Sequence, residues 1–260
     1  MSTNIFTKVF NSKKGWYRGD FHVHTTSSDG FYAPSLTAEL AQAEGLDFLA
    51  ITDHNTIAGL SQLKKDLGIL VIPGIEITLD KGHFNVFGMD DWRDWMGCVG
   101  VSEKGFTLSD KYQTMTELMQ EISAEGLLKS INHPHLYPWE WLYKDTDLRL
   151  VNCLELWNDL YYPGNVEANP QAVAMWTKWL NAGHRITAIG GSDYHSPPRP
   201  EENIPGERLG YPSTYVYAET LSMAGILEGV KNRRVYVSKG PQAGLFNARK
   251  ICYPYTQNLR

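Results

Sequence analysis

Residues 19–30, GDFHVHTTSSDG, constrain this chain more than any other stretch. Asp20, His22, His24 and Asp29 fall within ten positions. His22 and His24 are two apart, so an extended strand over 17–24 turns both to one face. Two imidazoles side by side are awkward core packing. Two imidazoles converging on a cation are ligands, and the rest of the chain must then bring further ligands to the same place.

Apolar runs and amphipathic stretches alternate along the sequence. Beyond 17–24, strands are expected at 47–52, 69–72, 83–88, 127–131, 151–156, 185–190, 214–217 and 235–238. Helices are expected at 34–43, 59–67, 110–124, 138–143, 171–181 and 221–231, the first opened by Pro34 and stopped by Gly45. Residues 1–16 read as an edge strand or loop. This alternation predicts parallel βα units. No Ser/Gly linker or break in composition divides the 260 residues, so a single domain over 1–260 is expected. Residues 89–109 contain DWRDW and several glycines without a clear period, and read as an inserted loop or small lid.

Polar residues then fall into a positional pattern. His22 and His24, His54, Glu76, His133, and Asp193 with His195 all follow predicted strands, and Glu155 lies on another. In a parallel barrel such strand ends share one rim, where active sites form. One histidine near a strand end is ordinarily a hydrogen-bonded structural residue. HxHxxxxD, TDHN, GxE, NHPH and GSDxH together are not explained that way, because so many buried polar groups without a cation would go unsatisfied. His83 begins a strand and needs a turn to bring it to the rim. Glu155 and Asn158 either line the pocket or cap a neighbouring helix. His184, after Gly183, reads as a helix-terminal residue.

Bulk properties narrow the partners. The net charge of -5 disfavours a nonspecific nucleic-acid coat or an anionic membrane surface, so no stable nucleic-acid complex is expected. Cys98, Cys153 and Cys252 are too few and too scattered for a disulfide framework or a zinc knuckle. The first residues lack a signal-peptide core, and no run reaches the length of a membrane span. A cytoplasmic location follows as the expectation.

These motifs, in this order, resemble the PHP (polymerase and histidinol phosphatase) superfamily over residues 19–241. FHVHTTSSDG is similar to its first motif, ITDHNT to its second, GIEIT to its third and GSDYH to its last. HFNVFGM, INHPH, ELWN and VYVSKGP resemble the branch of carbaryl-hydrolase-like metallohydrolases and PHP phosphoesterases. The resemblance implies a distorted (β/α)7 TIM-like barrel of the α/β class, with two or three metals on its rim. It implies nine ligands. His22, His24, Glu76 and Asp193 would hold one ion, and Glu76 would bridge to a second completed by His83 and His133. Asp29, His54 and His195 would hold a third, with His135 the substitute should His133 not serve. An Asp at position 29 is similar to nucleotide-phosphatase and oligonucleotide-trimming members, where polymerase-type members carry a His one residue later. Asp20 and Asp53 would orient the imidazoles.

Such a donor set suits zinc, manganese or iron better than calcium or magnesium. Three divalent ions outweigh the charges of Asp29, Glu76 and Asp193, which favours a small anionic substrate. A water held between metals is acidified and can attack at neutral pH. The expected activity is that of a metal-dependent phosphoesterase acting on a small phosphate ester or nucleotide, with Glu76, Asp193 and His195 central to catalysis. Arg199 and Arg208 would grip phosphate. The same cluster could hydrolyse a neutral ester, carbamate or amide, with LYPWEWLY as a hydrophobic wall. A non-catalytic metal-binding module is the third reading.

Overall fold

The structure, a computed structural model, describes residues 5–103, 105–199, 201 and 206–239. Cys252 and part of the proline-rich loop after Ser196 lie outside these residues. Eleven strands are described: β1 Gly15–Asp20, β2 Phe48–Ile51, β3 Leu70–Leu79, β4 Gly82–Phe87, β5 Val99–Ser102, β6 Gly105–Leu108, β7 Leu128–Ile131, β8 Cys153–Asn158, β9 Thr187–Gly191, β10 Ser213–Ala218 and β11 Val235–Ser238. Four α-helices accompany them: α1 Pro34–Ala43, α2 Met115–Ala124, α3 Asn165–Asn181 and α4 Met223–Lys231.

Nine strands form one sheet in the order β11-β10-β1-β2-β3-β4-β7-β8-β9. Its two ends meet. Gly190 N–H donates to Thr214 Oγ1 at 2.8 Å, and that hydroxyl donates back to Gly190 C=O at 2.7 Å. The result is the distorted, nearly closed barrel expected from the sequence. Part of the distortion lies in the pairing. β1–β2, β2–β3, β7–β8 and β8–β9 are parallel, as βα units require. β3–β4, β4–β7, β1–β10 and β10–β11 are antiparallel.

Side-chain alternation gives the sheet its two faces. Phe48, Ala50, Leu70 and Ile72 share a cluster with Phe21 and Phe87. Phe21 meets Phe48 and Phe87 edge-on, with ring centroids 5.1 and 5.3 Å apart. Leu49, Ile51 and Val71 turn the other way and pack with Ala38 and Ala41 of α1. β2 is buried at every position, as a parallel strand covered on both faces should be.

Four local expectations are corrected. β1 ends at Asp20, so His22 and His24 lie in the segment after it rather than on it. The helix expected at 59–67 is a 3-10 turn, Ala58–Gln62. Ser35 ends it: its hydroxyl donates to Gln62 C=O and accepts from Lys64 N–H, replacing helical bonds. Residues 138–143 form no helix, because the N–H groups of Trp141 and Leu142 donate to Pro134 C=O and Lys81 C=O. Residues 89–109 hold a 3-10 turn, Asp94–Cys98, and the separate hairpin β5–β6.

Candidate metal centre

The centre is assembled by backbone exchange between two loops. His24 N–H donates to Tyr194 C=O at 2.9 Å, and Tyr194 N–H to His22 C=O at 3.4 Å. This bridge places Asp193 and His195 on either side of Tyr194, against His22 and His24. Gly191 makes the approach possible, since a Cβ there would lie 2.3 Å from His22 Cβ. A second exchange extends β2. Glu76 N–H donates to Asp53 C=O and Asn55 N–H to Glu76 C=O, which sets His54 beside Glu76. Glu76 is mid-strand in β3, not at a strand end. The chain continues to Leu79 and returns as β4, antiparallel, with His83 opposite Thr78. This hairpin is the turn that brings His83 to the rim. Asn132 N–H then bonds His83 C=O, carrying the ladder on to His133.

Glu76 lies at the hub. His22 Nε2, His83 Nδ1 and His133 Nε2 are 3.2, 3.4 and 3.4 Å from its Oε1. His54 Nδ1 and His24 Nε2 are 2.7 and 3.5 Å from its Oε2. Asp193 Oδ1 is 3.2 Å from His22 Nε2 and 3.1 Å from His24 Nε2. Toward solvent, Asp29 reaches His54 Nε2 at 3.6 Å and His195 Nε2 at 3.4 Å. Donor atoms fall into overlapping groups: His22/His24/Glu76, His22/His133/Asp193, Glu76/His83/His133, and His24/Asp29/His54/His195. His24 thus also faces the outer group. His135, His184, Arg199 and Arg208 belong to none of them. Neither arginine lines the cavity over the cluster. Arg199 lies over the Phe31 ring and Arg208 over the Tyr161 ring.

These residues fit divalent metals. Among the described residues, His22 Nε2, both ring nitrogens of His24, Glu76 Oε2, His83 Nδ1, His133 Nδ1 and Asp193 Oδ1 are buried without a hydrogen-bond partner. Orphans cost free energy unless something satisfies them. Ligand atoms about 2.0–2.1 Å from a tetrahedral ion lie roughly 3.3 Å from each other, close to the spacings found here. The backbone is strained at the same place: His133 has φ 26° and Asp193 φ 53°, values that non-glycine residues rarely adopt.

Charge follows geometry. Burial would raise the Glu76 carboxyl, but His22, His54 and His83 outweigh it and hold it well below the carboxylate range. Asp193 behaves likewise, with His22 and His24 overcoming burial. Burial, then the positive field of His195, lowers His24 to about 3, which leaves a neutral imidazole. His195 is raised to about 10 because Asp29 and Asp193 outweigh its burial. Ionised carboxylates and a neutral His24 match the protonation states that metal ligands need, while the same carboxylates, against burial, raise His22, His54, His133 and His195, which would release a proton to serve as ligands.

The orienting residues differ from those expected. Asp20 accepts from the backbone N–H of His22, from Ser192 N–H and Oγ–H and from Gly210 N–H, and Asp53 from Thr25 and Ser28, so neither reaches an imidazole ring. Both tie loops together rather than orient imidazoles. Orientation comes from Glu155, which accepts from His22 Nδ1 at 3.0 Å and from His133 N–H at 2.9 Å. Asn158 donates to Glu155 and Asp193 at 3.1 and 3.2 Å. Glu155 and Asn158 therefore belong to the pocket. Asn132 donates to Glu76 Oε1 at 2.8 Å, and the Thr78 hydroxyl meets His54 Nδ1 at 2.5 Å. Glu207 accepts from the N–H groups of His195 and Ser196. NHPH contains the signal for Asn132, but nothing local in the sequence singles out Thr78 or Glu207.

The PHP domain family matches residues 20–182, well over half of the chain. The chain belongs to the PHP domain family. Over 108 residues it is 32% identical to a 5'-3' exoribonuclease of Haemophilus influenzae, a match covering 40% of this chain and 34% of that protein. Over 62 residues it is 42% identical to a phosphoribosyl 1,2-cyclic phosphate 1,2-diphosphodiesterase of Eggerthella lenta, covering 23% of this chain and 24% of that one. The chain thus spans a minor part of each. Among solved structures, a two-domain protein of Bacteroides vulgatus, described as containing a predicted PHP-like metal-dependent phosphoesterase, is similar with TM-score 0.64 and 24% identity. That match covers 86% of this chain and 65% of the other. The lesion-specific endonuclease EndoQ of Pyrococcus furiosus gives TM-score 0.59 and 17% identity, covering 86% and 58%. Both structural likenesses establish the PHP barrel fold. No helix among the described residues is long and apolar enough to cross a membrane.

Proposed function

We propose that this PHP protein is a metal-dependent hydrolase of phosphate esters, acting on a nucleotide, a small phosphodiester or an oligonucleotide end. The observation that carries this reading is Glu76, a buried carboxylate within 3.5 Å of nitrogen atoms of five histidines. His22, His24, Glu76 and Asp193 would hold one ion, Glu76, His83 and His133 a second, and Asp29, His54 and His195 a third. With that donor set the two or three ions would be zinc, manganese or iron. When bound, they supply a water of lowered pKa and charge stabilisation for phosphoryl oxygens.

The chain's own residues do the rest. Glu155, Asn132 and Asn158 hold the ligand side chains in place. The cavity of about 240 Å³ above them is lined by Asp29, His54, Glu76, His83, His133, Asp193 and His195, with Trp139 on its wall. His195 Nδ1 is fixed by Asp193 C=O at 2.7 Å, so its Nε2 faces Asp29 and the cavity. With only the two inner ions bound, that nitrogen keeps its proton and can hand it to a leaving oxygen; with the third ion bound it would be a ligand instead. The relatives named above act on RNA and on a cyclic phosphate, which supports phosphate over carbamate as the scissile group. A net charge of -5 fits a substrate gripped at its end rather than along its backbone.

Metal analysis joined to a substrate panel tests this reading. The purified protein should carry two or three transition ions per chain. It should hydrolyse 5'-phosphorylated oligonucleotides or nucleotides and lose that activity to a chelator. Absence of metal, or turnover of aryl carbamates with none of phosphate esters, overturns it.

A further inference from the structure

The cavity over the cluster has one wall that offers no ligand. Trp139 forms that wall and also lines an adjoining cleft of about 350 Å³ with Phe106, Pro138, Thr78, Asp80 and His83. Such a volume lies within the roughly 300–1,000 Å³ of small-ligand sites. Trp139 is 40% exposed and Phe106 47%, although both are large aromatic residues. Tyr162 extends the surface, its ring centroid 6.3 Å from that of Trp139. Exposed aromatic area contiguous with a catalytic cavity marks a binding surface.

Trp139 is held in place before any ligand arrives. Its N–H donates to Leu136 C=O at 2.7 Å, and Trp141 N–H to Pro134 C=O at 3.0 Å. Leu142 N–H donates to Lys81 C=O at 2.7 Å, which binds this loop to the β3–β4 hairpin. Gly82 allows the contact, since a Cβ there would lie 2.9 Å from Trp141. Phe106 is anchored from the other side, where Asp80 N–H donates to its C=O at 2.7 Å. Two aromatic residues on anchored main chain therefore flank one cleft, and little backbone ordering is required on binding.

We propose that Trp139 and Phe106 form a stacking subsite for the base of a nucleotide whose phosphate occupies the neighbouring cluster. The inference rests on the phosphoesterase reading and names its substrate class. Continuity of the two cavities ties the flat ring and the phosphate to one molecule. Asp80 decides between a nucleobase and a plain aryl group. Asp80 lines the same cleft; its Oδ1 accepts from the Tyr143 hydroxyl at 3.5 Å, and its second oxygen can accept from an exocyclic amino group, which adenine, cytosine and guanine carry and a simple aryl ring lacks.

The test compares an adenine-bearing 5'-phosphorylated dinucleotide with its abasic counterpart, using metal-loaded protein. Base–aromatic stacking corresponds to about 5- to 150-fold per base. The wild type should prefer the adenine substrate in kcat/KM by a factor in that range. Trp139→Ala should bring the ratio close to one, Trp139→Phe should restore most of it, and Phe106→Ala should reduce it. Equal kcat/KM for the two substrates in the wild type, or an unchanged ratio in Trp139→Ala, overturns the subsite and leaves phosphoester hydrolysis standing. If neither substrate is cleaved, the phosphoesterase reading fails. Calorimetric binding of AMP against ribose 5-phosphate then decides the subsite alone, and equal affinities reject it. Should Trp139→Ala fail to fold, Phe106→Ala on the exposed hairpin β5–β6 carries the comparison.

Discussion

Two regions of this barrel bury charge, and they deal with it in opposite ways. On the rim, Glu76 and Asp193 lie among histidines, and the nitrogen atoms that His22, His24 and His83 turn inward find no hydrogen-bond partner. In β7, Lys129 is just as buried, at 1% exposure, but its ammonium donates to Ser123 Oγ at 2.9 Å and Leu127 C=O at 3.3 Å. Protein oxygens take two of the ammonium's three N–H donors, and Lys129 belongs to none of the convergent donor groups of the rim. The rim leaves several donor atoms facing the same points. Burial of polar groups is thus no sign of a site by itself. Convergent unsatisfied atoms are, because they persist only if a ligand repays the desolvation.

Substitutions at the two regions should therefore differ in kind. Glu76→Ala removes the carboxylate shared by two groups of donors. It should lower turnover by more than about 10³-fold, the scale seen when one member of a set that acts as a unit is lost. Metal content should fall with it. A Glu76→Ala protein that keeps both metal and activity would break the contrast drawn here. Glu155→Gln acts one layer out. The amide cannot accept from His22 Nδ1 and from the His133 and Asn158 N–H groups at once, so His22 loses its fixed orientation. A loss of about 10- to 100-fold in metal affinity or turnover is expected, measured by competition with a chelator and by steady-state kinetics. An unchanged metal affinity would show that Glu155 only packs.

Much of the rim was legible because its residues cluster in short, regular motifs. The distances around His22, His24, His54, Glu76, His83, His133, Asp193 and His195 join residues that the sequence leaves up to 171 positions apart. What escaped reading depended on tertiary bonds. Asp53, in TDHN, looks like an imidazole partner, yet its oxygens are taken by Thr25 and Ser28. Glu155, in ELWN, is open in the sequence between lining the pocket and capping a helix, and only its bonds to His22 and His133 decide for the pocket. The antiparallel return of β4 was hidden because residues 80–82 carry no strong turn dipeptide, while Pro73 suggested a break inside what is one ten-residue strand. Pro73 is tolerated where β3 leaves its partner β2, whose last paired residue, Ile51, sits opposite it. The lost helix at 59–67 teaches the same lesson, since Ser35 supplies from a distance the bonds that would have continued it.

Lys129 supplies the smallest expected effect on chemistry and the control for the whole contrast. Burial, opposed by the nearby Cys153, lowers its pKa from 10.5 to about 8. Its folded value is depressed, so the unfolded chain binds more protons between about pH 8 and 10.5. Stability should accordingly rise with pH through that window, and below pH 8 the full penalty for burying the charge remains. A depression of this size corresponds to at most about 3 kcal/mol. Lys129→Met removes the titrating group and should flatten the pH dependence of denaturant midpoints between pH 8 and 10.5. Its metal content and turnover should match the wild type. Loss of metal from this variant would mean that the two buried charges are coupled through β7, and that the rim draws on the barrel interior for more than support.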